Sequence, residues 1–168
     1  MKRIIATAIV ILVFAGTAFA VDPVEGFWLS VDHKTKKVKS GWEIYVSDDG
    51  YLYGKIISAY DCTADDNASR CRESYANFPI AGKVNQLPVF GTPWLYGLRM
   101  EKPGYWTNGT IINPEDGSMY KCTVIYHPAD GKKFKQETLE VRGQLLVFSG
   151  SQYWQRATRE EASSLKKQ

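Results

Sequence analysis

Two histidines, three cysteines and one acidic cluster are the residues of this chain whose types most readily do chemistry: His33 and His127, Cys62, Cys71 and Cys122, and Asp61, Asp65 and Asp66. Two imidazoles build a zinc site only when carboxylates or thiolates complete the coordination shell, and no metal site is expected. A Cys/His nucleophilic pair would need His127 beside Cys122. On an extended strand the two lie about 16 Å apart and on opposite faces. The three aspartates sit in a long polar segment, where a solvated loop is a better reading than a metal site. A G-x-S-x-G elbow, an H-E-x-x-H pair and a phosphate-cradling glycine loop are absent from the sequence, so no catalytic residue is assigned and no cofactor is expected. Cys122, within Tyr120–Val124, reads as a small buried thiol rather than a reactive one. Cys62 and Cys71 are spaced to close a short loop in an oxidising compartment, a bridge worth about 2–3 kcal/mol on the chain-entropy account; spacing alone does not establish the pairing.

The aromatic residues are more suggestive. Five tryptophans and ten tyrosines occur, and Trp28, Trp42 and Trp154 fall on strand faces that would turn inward as core. A second group, Tyr75, Phe78, Phe90, Trp94, Tyr96, Tyr105 and Trp106, gathers near two predicted strands and the segment feeding them. Such residues can line a ligand pocket at the mouth of a barrel, or pack a long loop onto its wall.

These side chains need a scaffold, and its period is two. Trp42, Ile44 and Val46 alternate with Glu43, Tyr45 and Ser47; Tyr120, Cys122, Val124 and Tyr126 alternate with Lys121, Thr123 and Ile125. That is the pattern of half-buried antiparallel strands, and no long helical periodicity follows residue 20. The segments SDDG (47–50), PEDG (114–117) and PADG (128–131) read as turns, since glycine tolerates the positive φ of tight connections. None has the ligand spacing of a calcium loop. Strands are expected near 26–33, 40–47, 51–59, 94–100, 105–112, 118–127, 133–142 and 144–156. Eight such strands joined in sequence predict a single all-β, antiparallel up-and-down barrel, because closure removes the exposed edges of an open meander. The segment 60–93 is too long for a hairpin and is expected as an ordered crossing loop or lid. The stretch 157–168 reads as a polar tail with a frayed helical end.

Residues 1–20 carry a basic start at Lys2 and Arg3, an apolar run and an Ala18-Phe19-Ala20 exit, the order of a cleavable signal peptide. The run is shorter than a bilayer span, and no membrane span is expected after cleavage. Cleavage leaves about 148 residues, enough for one domain, residues 21–156, and its tail. It also lowers the formal net charge of +3 to about +1, which gives no general basic face for nucleic acid. The Asn108-Gly109-Thr110 triplet fits the N-glycosylation pattern.

Gly26-Phe27-Trp28 resembles the G-x-W signature of the lipocalin-like (calycin) barrels. With Gly91-Thr92-Pro93-Trp94-Leu95-Tyr96-Gly97-Leu98, the run Trp106 to Cys122, Val141-Arg142-Gly143 and Trp154-Gln155-Arg156, it also resembles the ordered motifs of the bacterial domain of unknown function 2147. The resemblance implies a lipocalin-like fold, export to the periplasm or outside the cell, and no established activity. It further implies that Arg156 packs over Trp28 to close one end of the barrel, a cation–π contact worth about 2 kcal/mol when desolvated. The Tyr60–Asn77 region matches least, so a role for that loop would be specific to this chain. Two functions are therefore expected from the sequence: non-catalytic binding of a small apolar or amphipathic ligand, or interaction with an envelope protein through the 60–93 loop.

Overall fold

The alternating segments pair as a closed barrel in a computed structural model, which describes residues 21–32, 35–145 and 148–165. The predicted leader, His33 and the last three residues lie outside them. The strands are β1 (Gly26–Val31), β2 (Val38–Val46), β3 (Leu52–Ala59), β4 (Pro93–Lys102), β5 (Tyr105–Ile112), β6 (Met119–His127), β7 (Thr138–Leu145) and β8 (Phe148–Ala157). Each pairs antiparallel with the next, and β8 returns to β1, so the order around the barrel is the order in sequence. Interior positions carry the large side chains: Trp28, Ile44, Leu52, Leu95, Leu98, Val124, Leu139 and Trp154 are each at most 1% exposed.

Tight connections follow the glycines. Gly50, Gly117 and Gly131 all have positive φ (78°, 73° and 68°), as the three Asp-Gly turns require. The expected start of β7 at residue 133 is wrong by five residues, because Asp130 holds the chain in a longer turn. Its Oδ1 accepts from the backbone N–H groups of Lys132 (2.8 Å) and Phe134 (2.9 Å), and pairing starts only at Thr138. An Asx-type cap of this kind outcompetes strand propensity locally.

The tail is better built than the expected frayed end. Thr158 caps the helix α1 (Arg159–Ser163) in a reciprocal capping box with Glu161. The helix lies against β1–β3: Ser58 Oγ donates to the Ala162 carbonyl at 2.6 Å, and Gly41 permits the contact, since a Cβ there would sit 1.8 Å from that oxygen.

Candidate functional site at the open end of the barrel

The two ends of the barrel are finished differently. At the closed end Trp28 is fully buried and donates its indole N–H to the Val24 carbonyl at 2.8 Å. The Arg156 guanidinium stands 3.9 Å from its ring centroid, the contact implied by the family resemblance. Arg156 also donates to the carbonyls of Glu25 (2.7 Å) and Pro23 (2.5 Å) and to Glu137 Oε2 (2.7 Å). Gly26 makes room for it: its φ is +120°, and a Cβ would lie 2.8 Å from Arg156 Nη1. Asp22 and Glu25 tie this plug to the neighbouring hairpins by accepting from the backbone N–H groups of Gly104 (3.1 Å) and Val46 (3.1 Å). The arginine satisfies carbonyls that β1's entry strands, while its charge faces π density and a carboxylate.

The other end is hollow. A cavity of about 500 Å³ enters between the last residues of β1, β3, β5 and β7 and the first of β2, β6 and β8. Trp42 and Trp154 form its floor, with ring centroids 4.7 Å apart, and Ile56, Ile112 and Val141 add aliphatic wall. Toward the mouth the lining becomes polar, through Ser30, Ser40, Gln152, Lys39 and Glu115. Both floor indoles are satisfied within the wall: Trp42 donates to Ser40 Oγ (2.8 Å) and Trp154 to Gln152 Oε1 (3.0 Å). Their ring surfaces, not their N–H groups, are therefore offered to the cavity. A concave, mostly apolar site of this volume with a few polar groups is the usual form of a small-molecule site.

None of the seven aromatics singled out from sequence lines this cavity. Leu95 and Leu98 take the interior positions of β4, so Trp94 and Tyr96 project from its outer face and the 60–92 segment covers them. Phe78 lies 6.0 Å from the Trp94 ring and 5.4 Å from the Tyr96 ring. Trp94 donates to the Val89 carbonyl (2.7 Å), Tyr96 to that of Ala76 (3.2 Å) and Tyr75 to that of Gly117 (2.8 Å). Phe90 is half-buried against the core. Tyr105 carries Lys102 beside its ring at 5.8 Å, and Trp106 is fully buried opposite Val124. The group packs the long loop onto the barrel wall and fills the core. Within the loop, Ile80 is the one large apolar side chain exposed among the described residues.

No disulfide joins Cys62 to Cys71 in the structure. Cys62 lines the cavity, whereas Cys71 is buried against the Tyr75 hydroxyl; burial raises its pKa and the tyrosine hydrogen bond partly offsets this. The two thiols thus belong to different surroundings. Cys122 is 2% exposed, and burial pushes its pKa far up, leaving a neutral thiol.

One polar cluster was not legible in the sequence. Glu140, 5% exposed on β7, accepts hydrogen bonds from His127 Nε2, Arg142 Nη2 and Ser151 Oγ, each at 2.8 Å. Burial opposes its ionisation, but these three donors outweigh it and hold the carboxyl down at about 2. Serine and histidine both donate to the carboxylate rather than serine to histidine, so this is a brace across β6–β8 and not a nucleophile–base pair. Only the spacing of Glu140 and Arg142 on one strand face hinted at it.

No curated protein matches the sequence. A solved protein from the human pathogen Helicobacter pylori, described as belonging to the lipocalin family, superposes with a TM-score of 0.60 at 18% identity, over 82% of this chain and 84% of that one. At that identity the likeness concerns the fold. The profile of a family described as "Uncharacterized protein conserved in bacteria (DUF2147)" matches residues 26–156, from the glycine that admits Arg156 to Arg156 itself, and the chain belongs to that family.

Proposed function

We propose that the protein binds, without catalysis, one small apolar or amphipathic, lipid-like molecule in the open end of its barrel. The observation that carries this is the cavity itself: about 500 Å³, floored by two tryptophans whose polar atoms are already satisfied. Water there gains little from an aromatic and aliphatic floor, and an apolar group displacing it gains roughly 25 cal/mol per Å² of surface removed from water. The test is titration with the uncharged fluorophore N-phenyl-1-naphthylamine. Gly150 lines the cavity, and a Cβ there would meet nothing within 4 Å. Saturable fluorescence enhancement by the wild type, lost in Gly150→Leu while the melting temperature is retained, supports the site. Enhancement that is absent, or unaffected by the filled cavity, removes it.

Export is part of the same proposal: residues 1–20 act as a cleaved leader and deliver the barrel to the periplasm or the exterior. A mass beginning at Val21 in protein recovered from the periplasmic or secreted fraction is the expected result. An intact mass from the cytoplasm refutes it. No observation favours an envelope partner docking on the 60–93 loop, whose large apolar residues, Ile80 apart, are turned away from solvent.

A further inference from the structure

The chemistry of the cavity's polar groups narrows its occupant, on the premise that the cavity binds a ligand at all. Among the lining residues charge at the rim cancels, while Arg70, outside the lining, donates to the Glu115 carbonyl at 3.3 Å. Lys39 Nζ lies 3.6 Å from Glu115 Oε2, with both side chains nearly half exposed, and these are the only two formally charged side chains among the described lining residues. Below the rim every polar group is neutral. Ser30 Oγ and Ser40 Oγ are 2.7 Å apart. Ser30 Oγ also accepts the Ser40 backbone N–H (3.1 Å), and Ser40 Oγ accepts the Trp42 indole N–H (2.8 Å). A bond between two hydroxyls uses one of their two hydrogens, so whichever serine donates, the other keeps an O–H for a ligand. Gln152 adds to this. Its Oε1 is taken by Trp154, which leaves the carboxamide NH₂ as a donor pair at the wall.

The cavity therefore stacks three layers: an aromatic and aliphatic floor, a belt of uncharged donors, and a rim whose cation already has its anion. Uncharged donors suit ester, amide or hydroxyl oxygens. A carboxylate drawn into such a site loses water without gaining an unpaired cation. If it reaches for Lys39 it must displace Glu115 and then lie beside that carboxylate. We propose that the site takes a single-chain amphipath with an uncharged, oxygen-bearing head, of the monoacylglycerol type, in preference to the free fatty acid of equal chain length.

The experiment compares 1-monolaurin with laurate, both below their micellar concentrations, by tryptophan fluorescence and calorimetry near pH 8, where the fatty acid is ionised. Monolaurin is expected to bind at least about tenfold more tightly. Glu115→Gln, an exposed change that frees Lys39, is expected to strengthen laurate at least about fivefold and so to narrow the preference for monolaurin. Laurate binding as well as or better than monolaurin to the wild type overturns the preference, and so does a Glu115→Gln protein that gains nothing for laurate. If neither lipid binds while N-phenyl-1-naphthylamine still enters, the ligand class is wrong and the cavity reading stands. If none of the three binds, both fall.

Discussion

Trp28 at the closed end and Trp42 at the open end are partners across the β1–β2 ladder, yet their surroundings are opposite. Trp28 has its indole N–H on a backbone carbonyl, an arginine over one face and Tyr126 edge-on at 6.5 Å. Trp42 has its N–H on a serine hydroxyl and a second tryptophan beside it, with the cavity beyond. The same side chain serves stability where its N–H and the arginine over it are already paired and, on the proposed function, recognition where space and spare donors are left over. Buried polar groups that are fully satisfied rigidify a site; those with hydrogens to spare await a partner.

Substitutions at the two ends test that contrast, and the largest effect belongs to the closed one. Trp28→Ala removes a fully buried ring and takes from the guanidinium its nearer π partner, so a loss of about 3–5 kcal/mol is expected in urea denaturation. A loss below about 1 kcal/mol would mean that the Pro23–Glu25 segment closes the barrel unaided.

Next comes the wall between the ends. The Glu140 carboxyl is held at about 2, below its ordinary 4.5, so the brace contributes stability above pH 4.5 that drains away as pH falls toward 2. The contribution is of order 3 kcal/mol. Stability measured from pH 6 down to pH 2 should show this decline in the wild type, and a lower, flatter profile in Glu140→Gln.

Gly26→Ala is expected to cost about 1–3 kcal/mol, from an alanine held at positive φ and from displacing Arg156 Nη1. If melting is unchanged, the guanidinium has room to move and the closed end is looser than its geometry implies. The smallest effect is at the open end. Ser40→Ala takes the acceptor from Trp42 at a solvent-reached cavity, where water can replace it, and should cost at most about 1 kcal/mol. It should nonetheless weaken monolaurin measurably by calorimetry. A large stability loss with unaltered binding would turn the two ends into one kind of structure.

Much of this architecture was legible beforehand because period-two alternation and Asp-Gly turns are local signals. They placed β5 at its observed bounds and most other strands within a few residues. They failed at β7, where one aspartate side chain held five residues in a turn, and at the tail, where a frayed helical end was expected and the capping pair Thr158 and Glu161 instead starts a helix seated on Gly41 and Ser58. The candidate site fared differently. Of the seven aromatics singled out, Tyr75, Phe78, Trp94 and Tyr96 do pack together, but outward under the loop, while Trp106 fills the core. None of the seven lines the cavity.

The sequence by itself determined the barrel, the inward tryptophans and, through motif resemblance, the meeting of Trp28 with Arg156, since these depend on alternation and on residues at fixed ladder positions. Only the tertiary structure decided where space remained. Whether aromatic bulk fills an interior or covers an exterior turns on which face of a strand each ring takes, and a local irregularity reverses that face without changing composition. The hollow at Trp42 and Trp154, and the pairing of Lys39 with Glu115 above it, arise from strands brought together by closure of the ring.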